Sequence, residues 1–243
     1  MEGAMRVVIV SLLLLMAVPG AVVPGAAAAQ CRPAPKADLQ GCDFSGAALE
    51  NADLRGAKLD GVRFAKANLK WANLTGASLK GAVFAGADLF HATFDEADMA
   101  GADLTGTYLF GANLIGTRLN GADFTGAYLK DVLMERADLS GARLSGVYML
   151  RGVFEDARLA GADLSGADMT GAAAERADFT GATLKGTRLS GASMRFARFV
   201  QADLEGADFA KADLLHTVFD GARNVPQGVT DTLATLFGAE ERR

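Results

Sequence analysis

The sequence is poor in the residues from which proteins build reactive and metal-binding sites. It contains two cysteines and two histidines among 243 residues. His91 and His216 lie far apart along the chain, and neither has cysteines or paired carboxylates at a spacing typical of a metal site. No nucleophile elbow or phosphate-binding loop is present in the sequence. These absences argue against an enzyme and predict neither a metal nor a cofactor.

Proline is also scarce, and neither sign of charge dominates. Five prolines beside 29 glycines do not fit collagen or a disordered linker. The net charge of −5 is mild and discourages nonspecific binding to nucleic acid, so a nucleic-acid partner is not expected. Hydrophobic residues make up 50% of the chain, which is enough to form a core.

The first thirty residues differ from the rest of the chain. Arg6 is followed by the apolar stretch "VVIVSLLLLMAV", which ends at a Pro-Gly pair and precedes "AAAAQ". A cation, a short apolar core and an Ala-x-Ala site are typical of a secretory signal, so residues 1–29 are predicted to be a signal peptide cleaved after Ala28 or Ala29. A permanent anchor is the alternative, but a transmembrane helix needs about 20 apolar residues. The mature protein is then exported, periplasmic or extracellular, with no stable membrane span.

Both cysteines lie directly beyond that predicted cleavage site. In an exported protein, a disulfide between Cys31 and Cys42 would fasten the mature N-terminus to the first repeats. The alternative is a free thiol at Cys31 and a small buried side chain at Cys42. Residues 30–36, "QCRPAPK", are predicted to form an N-terminal cap segment.

A large residue, which we call the centre of a repeat, recurs at every fifth position from Leu39 to Phe219. Of these 37 positions, 21 are Leu, 10 are Phe, 5 are Met and one is Ala174. The residue two positions before a centre is usually Ala, and the residue two positions after it is mostly Gly. A period of five fits neither an α-helix nor a β-strand. It predicts short extended segments joined by turns in which glycine supplies a positive φ, and hence a solenoid.

A second period, of twenty residues, is superimposed on the first. It is visible among the centres that are Phe: one column contains Phe44, Phe64, Phe84 and Phe124, and another contains Phe179, Phe199 and Phe219. The rule of five does not dictate which centres are Phe. We therefore expect four repeats to form one coil, so that residues twenty apart stack on one of four sides.

The repeats resemble those of the pentapeptide-repeat family, whose motif is Ala-(Asp/Asn)-Leu-x-x. Matching segments are "ADLTG" at 102–106, "ANLIG" at 112–116 and "ADLSG" at 162–166. The resemblance implies an all-β fold, a right-handed four-sided parallel β-helix with the centres inside. Residues 37–223 would form about nine coils.

The segment after the repeats has the pattern of a helix. Pro226 stands near its start, Gly238 near its end, and Val229, Leu233, Leu236 and Phe237 fall on one side. Residues 224–243 are therefore predicted to be a C-terminal cap helix and tail. The alternative is a dimerisation helix, as in some members of the family.

Wrapping the chain at twenty residues per coil places charged residues on one wall and aromatic residues on another. The charged wall alternates in sign through Asp98, Arg118, Asp138, Arg158, Asp178 and Arg198. The other wall should present an apolar-aromatic patch with Leu133 around the corner, and the candidate partner-binding residues are Phe90, Tyr108, Phe110, Tyr128, Leu133, Tyr148 and Leu150. Exposed patches of this kind favour interfaces, although an aromatic ladder can also serve only to stabilise the sheet.

These features predict a noncatalytic, exported structural or interaction scaffold that binds a protein partner or itself through the aromatic wall. The family resemblance implies an alternative, a DNA mimic that inhibits DNA gyrase or topoisomerase. Such relatives are cytosolic and strongly acidic, whereas this chain has an export signal, a mild charge and a wall of alternating sign. A third possibility, an ice- or carbohydrate-binding face, would use Thr105 and Thr125, but Ser145 and Ser165 continue that column.

Overall fold

The computed structural model describes residues 31–231, and parallel β-bridges join residues that are twenty apart along it. These bridges run from Asp38 with Lys58 to Asp203 with Arg223. Four pentapeptide repeats therefore make one coil, and each coil contributes one bridged residue to each of four walls. Each strand is a single bridged residue, which precedes the centre of its repeat. The twenty-residue coil expected from the columns of Phe is confirmed.

Backbone hydrogen bonds connect every coil to the coils on either side. The N–H of Tyr108 donates to the carbonyl of Ala87 in one neighbouring coil at 3.0 Å, and the N–H of Leu109 donates to the carbonyl of Tyr128 in the other at 2.8 Å. A third type of bond closes each turn, as where the N–H of Ala112 donates to the carbonyl of Leu109 at 3.1 Å. The repeat thus satisfies its buried backbone groups without long strands.

Each corner between two walls has its last turn residue in the left-handed region of φ. Glycine fills most of these positions, because it adopts a positive φ without steric cost. Two corners instead carry several larger residues, among them Trp71 with a φ of 60° and His91 with a φ of 52°. A side chain in this conformation costs about 1–2 kcal/mol. The chain therefore places aromatic side chains at corners where glycine would be more stable locally.

The core consists of the centres and of the small residues two positions before them. Nearly all centres are fully buried, and stacked Phe rings such as Phe64 and Phe84, whose centroids are 5.0 Å apart, fill one side of it. Thr117, which replaces an alanine in the core, donates its hydroxyl hydrogen to the carbonyl of Phe94 at 2.9 Å. The one small centre, Ala174, is fully buried as well. The hydroxyl groups of the core threonines are thus paired, as burial requires.

The two ends of the repeat region are built differently. At the beginning, a disulfide joins Cys31 to Cys42, and Cys42 is buried while Cys31 packs against the core. At the other end, residues 227–231 are helical and Val229 is buried against the core. The rest of the predicted cap, with Leu233, Leu236 and Gly238, lies outside the described residues, as does the predicted signal peptide at 1–29.

Between residues 31 and 231, no helix is long and apolar enough to cross a bilayer. Over the same span, His, Cys, Asp and Glu side chains nowhere gather in threes around a point where a metal ion could sit.

Candidate interaction surface

Three tyrosines stack on one wall of the β-helix, which we call the aromatic wall. Tyr108 is bridged to Tyr128 and Tyr128 to Tyr148, so the three occupy consecutive coils. Their ring centroids are 5.2 and 5.1 Å apart, and neighbouring rings are nearly parallel. This spacing follows from the separation of adjacent strands, which is about 4.8 Å. The predicted register of the three tyrosines is therefore confirmed.

Two phenylalanines extend the tyrosine ladder sideways. Phe90 and Phe110 lie in adjacent coils with nearly parallel rings, and their centroids are 5.6 Å apart. Phe110 is also stacked beside Tyr108 at 6.4 Å. The rings of the two columns are thus in contact, and they form one continuous cluster on the wall.

Trp71 and His91 continue this cluster onto the adjoining corner. Their rings are stacked with centroids 4.4 Å apart, and His91 meets Phe90 edge-on at 4.3 Å. The imidazole of His91 lies directly over Gly111: a Cβ atom on Gly111 would approach His91 Cε1 to 2.5 Å. The glycine in the next coil is therefore what allows the imidazole to lie flat against the corner.

The cluster is partly open to solvent. Trp71 is 52% exposed and Tyr108 is 41% exposed, while the other rings of the cluster and Leu150 are half-buried. Because the tyrosine rings stack on one another, their faces are largely covered and their edges remain for contacts. This arrangement suits edge contacts and hydrogen bonds with another protein surface, but it offers no open row of ring faces to a sugar.

Leu133 lies on the next wall, around the corner from the tyrosines. It is bridged to Asn113 and Val153, and its side chain is half-buried. An ion pair stands on the corner between the two walls, where Arg151 Nε is 2.8 Å from Asp131 Oδ1. Hydrogen bonds from Arg151 lower the pKa of Asp131. Six of the seven predicted partner-binding residues thus share the aromatic wall, and Leu133 borders it.

Charged pairs bound the aromatic wall at both of its ends. Lys70 Nζ lies 3.1 Å from Asp88 Oδ2 on one side, and Arg188 Nη2 lies 3.0 Å from Asp168 Oδ2 on the other. Within the cluster, Lys130 Nζ is 5.8 Å from the centre of the Phe110 ring, a cation–π geometry. The apolar surface is therefore a defined patch with a polar border, which is the usual anatomy of a protein interface.

The opposite wall carries the predicted ladder of alternating charge. Consecutive bridges join Asp98 to Arg118, Arg118 to Asp138 and Asp138 to Arg158, so the order is confirmed. The closest pair among these residues is Arg118 with Asp98, at 3.6 Å. Exposed pairs of this kind contribute little to stability one by one. This wall provides a surface of balanced charge on the far side of the molecule.

A second aromatic pair, which was not predicted from the sequence, lies on the corner between the wall of Leu133 and the wall of alternating charge. Phe196 and His216 are stacked with centroids 4.9 Å apart, and Phe196 is 47% exposed. Both residues have a positive φ, like Trp71 and His91. Because Phe196 and His216 are twenty apart, the coil period was the signal that could have paired them.

The hydroxyl column considered for ice or carbohydrate binding is already engaged in local hydrogen bonds. The hydroxyl of Thr105 donates to Asp103 Oδ1 at 2.7 Å, and that of Thr125 donates to Asp123 Oδ1 at 2.6 Å. Side chains that bond to their own strand in this way have less capacity left for a ligand.

Comparison with known families identifies the repeat. A family model for pentapeptide repeats, with eight copies, matches residues 37–76, 67–106, 107–146, 157–195 and 187–223. A search among curated proteins finds no match to this chain.

Two solved structures illustrate the likeness. The chain is 34% identical to HetL, a pentapeptide repeat protein involved in heterocyst differentiation regulation in the cyanobacterium Nostoc sp. strain PCC 7120; the match covers 77% of this chain and 85% of HetL, with a TM-score of 0.76. It is 19% identical to a trypsin-treated variant of QnrB1, a plasmid-mediated fluoroquinolone resistance protein, over 82% of this chain and 93% of that one, with a TM-score of 0.55. The second likeness shows the fold alone.

Proposed function

The chain belongs to the pentapeptide-repeat family, and we propose that it is a noncatalytic, exported interaction scaffold that binds a protein partner or a second copy of itself through the aromatic wall. Its rod would be a right-handed β-helix of about nine coils, closed at its far end by a helix within residues 224–243. The walls supply a rigid platform on which side chains are placed at the spacing of β-strands.

The observation that carries this proposal is the continuous, solvent-accessible ring cluster on one wall. Trp71, Phe90, His91, Tyr108, Phe110, Tyr128 and Tyr148 are linked ring to ring. Monomeric proteins rarely expose a contiguous patch of this kind without a use for it, and aromatic residues are enriched in interfaces.

A purely stabilising ladder is the competing explanation, and the corner residues weigh against it. Trp71 and His91 each hold a positive φ, which costs about 1–2 kcal/mol relative to glycine. Stability alone would favour glycine at these two positions, as at Gly111 on the same corner. Half of the Trp71 side chain is also left in water, where it adds little to the core.

Export is supported by the predicted signal peptide together with the disulfide. Disulfides persist mainly in oxidising compartments such as the periplasm and the extracellular space. The bond between Cys31 and Cys42 therefore agrees with a mature chain that lies in such a compartment.

A gyrase-binding DNA mimic is the alternative function, and the charge distribution disfavours it. The wall with the most acidic residues contains Asp43 and Asp123, but Arg63 lies 3.7 Å from the first carboxylate and Arg143 lies 3.5 Å from the second. Each arginine offsets an acidic charge along the column. A wall whose carboxylates are interrupted by arginines in this way does not reproduce the continuous negative charge of a DNA backbone.

Site-specific photo-crosslinking in the native host tests the proposed function. A photoreactive phenylalanine derivative replaces Tyr108 on the aromatic wall, and the same residue replaces Arg118 on the opposite wall as the matched control. We expect a defined adduct, either with another protein or with a second copy, from position 108 and none from position 118. No adduct from position 108, or equal adducts from both positions, would overturn the proposal.

A further inference from the structure

We propose that the occupant of the aromatic wall is a second copy of this chain, packed side by side and antiparallel, with a two-fold axis between the coil of Tyr108 and the coil of Tyr128. This inference rests on the proposed function and commits it to one partner. The bridges fix the order of side chains along the wall, and this order determines which residues meet in such a pair.

A two-fold axis that runs across the wall keeps each column of side chains opposite the same column of the partner and reverses its order. Dimers with this symmetry are the most common oligomers, and their interface must be complementary to itself. With the axis between the two coils, Tyr108 faces Tyr128 of the partner copy. Phe90 then faces Leu150 of the partner copy, so the apolar ends of the patch cover each other.

The charged and polar residues are also complementary in this register. Phe110 faces Lys130 of the partner copy, which repeats the cation–π contact that Lys130 and Phe110 make within one chain. The carboxylate of Asp88 faces Tyr148 of the partner copy, whose hydroxyl can donate a hydrogen bond to it. Like charges do not meet anywhere along the wall between the coils of Asn68 and Asp168.

The corner beside the wall fits the same register. Trp71, the largest side chain on that corner, faces Gly171 of the partner copy, which has no side chain of its own; the nearest side-chain atom there is Arg151 Cγ, 3.6 Å from where a Cβ of Gly171 would lie. The corner on the other side of the wall is almost entirely glycine, so it does not prevent close approach of two rods. The two copies also share one strand spacing, so their side-chain columns stay in step along the whole contact.

Two alternative arrangements are less favourable. An axis through Tyr128 itself would place Lys130 against Lys130 of the partner copy and Asp88 against Asp168 of the partner copy. Both contacts are repulsive. A parallel arrangement would exchange the two columns and press the carboxylate of Asp88 against the ring of Phe90 in the partner copy. Burying a carboxylate against an apolar ring carries a large desolvation cost. The antiparallel register between the coils of Tyr108 and Tyr128 avoids both problems.

Disulfide trapping with mixed chains tests the register. One full chain carries Phe90→Cys, the other carries Leu150→Cys, and the native cysteine pair is kept in both. We expect a covalent dimer when the two chains are mixed under mild oxidation, and little from either chain alone. Tyr128→Cys serves as the control for register, because it traps a dimer by itself only if the axis passes through Tyr128.

A charge reversal provides a second readout that needs no cross-link. Lys130→Glu removes the cation from both symmetric contacts with Phe110, which we expect to weaken dimerisation about tenfold. Lys58→Glu on the opposite wall is the matched control and should leave the dimerisation constant unchanged. Sedimentation velocity over a range of concentrations measures both.

The outcomes separate this inference from the proposed function. A strictly monomeric chain that still gives a photo-adduct with another protein at position 108 would overturn self-pairing and leave the proposed function standing. Absence of both self-association and adduct would overturn the two together. The proposed register would be overturned if Tyr128→Cys by itself gave a covalent dimer, or if the mixture of Phe90→Cys and Leu150→Cys chains gave none.

Discussion

Tyr108 and Tyr128 are bridged neighbours in consecutive coils, and their rings stack with centroids 5.2 Å apart. Twenty residues of chain thus advance the molecule by one strand spacing and return to the same wall. Position along the sequence is therefore converted directly into wall and height. Each wall therefore has its own chemistry, and the effect of a single substitution can be related to one wall and one height.

Gly152→Ala should destabilise the fold although alanine is the commonest residue at this place in the repeat. A Cβ atom there would come within 2.6 Å of Phe154 Cε2. Overpacking of a rigid core typically costs about 1–3 kcal/mol. Urea unfolding followed by circular dichroism measures the loss.

The double variant Gly152→Ala with Phe154→Leu is the control for that explanation. It restores the Ala-x-Leu arrangement found in most repeats, so the two substitutions should be strongly non-additive, with a smaller loss than their sum. Simple additivity of the two losses would show that the ring of Phe154 is not what excludes the alanine.

Acidification should destabilise the corner ion pair between Asp131 and Arg151. The hydrogen bonds from Arg151 lower the pKa of Asp131 in the folded state, so the pair contributes stability above the unfolded-state pKa of about 4. That contribution is lost as the pH falls through the folded pKa. Melting temperatures between pH 7 and 2 should therefore fall more for the wild type than for Asp131→Asn. Arg151→Gln should show the same smaller fall in melting temperature as Asp131→Asn. If the melting temperatures of both variants fell as much as that of the wild type, this explanation would be contradicted.

Reduction of the disulfide should lower stability without changing the coils. Cys31 and Cys42 are separated by 11 residues, and closing a loop of this length contributes about 2–3 kcal/mol by restricting the unfolded chain. Cys31→Ser with Cys42→Ala should match the reduced protein, because alanine is the usual residue at the position of Cys42. Melting with and without dithiothreitol measures the effect. A melting temperature that reductant does not move would show that the bond is dispensable or absent.

Trp71 should be more costly to replace by alanine than by glycine. Both variants lose the stacking with His91 at 4.4 Å, but only glycine is relaxed at a φ of 60°. We expect Trp71→Gly to be about 1 kcal/mol more stable than Trp71→Ala in urea unfolding. Equal stability of the two variants would mean that the corner is not strained by its side chain.

The arithmetic of the repeat predicted the walls because a coil of twenty residues has no freedom to change register. Tyr108, Tyr128 and Tyr148 could be placed together before any coordinates were known, and so could Asp98 and Arg118. Phe196 and His216 obey the same rule but were not recognised as a pair, because they lie on a corner where the motif sets no aromatic preference.

Local side-chain packing could not be predicted from the sequence, for a different reason. Gly152 resembles any other departure from alanine until the ring of Phe154 is seen to occupy the space of the missing methyl group. In the same way, His91 gives no sign in the sequence that it lies flat over Gly111 in the next coil. Side-chain rotamers, which decide both cases, depend on neighbours that are close in space and not on the period of five.

The measurement that tests the central claim most directly is the sedimentation behaviour of a variant whose aromatic wall has been made polar. Tyr108, Phe110, Tyr128 and Tyr148 are replaced by Ser and Thr, and a matched variant carries the same replacements at Asp98, Arg118, Asp138 and Arg158 on the opposite wall. Both should keep the circular dichroism of the parent. We predict that the first sediments as a monomer where the wild type and the second variant self-associate; unchanged association of the first variant would contradict the claim that the aromatic wall is the binding surface.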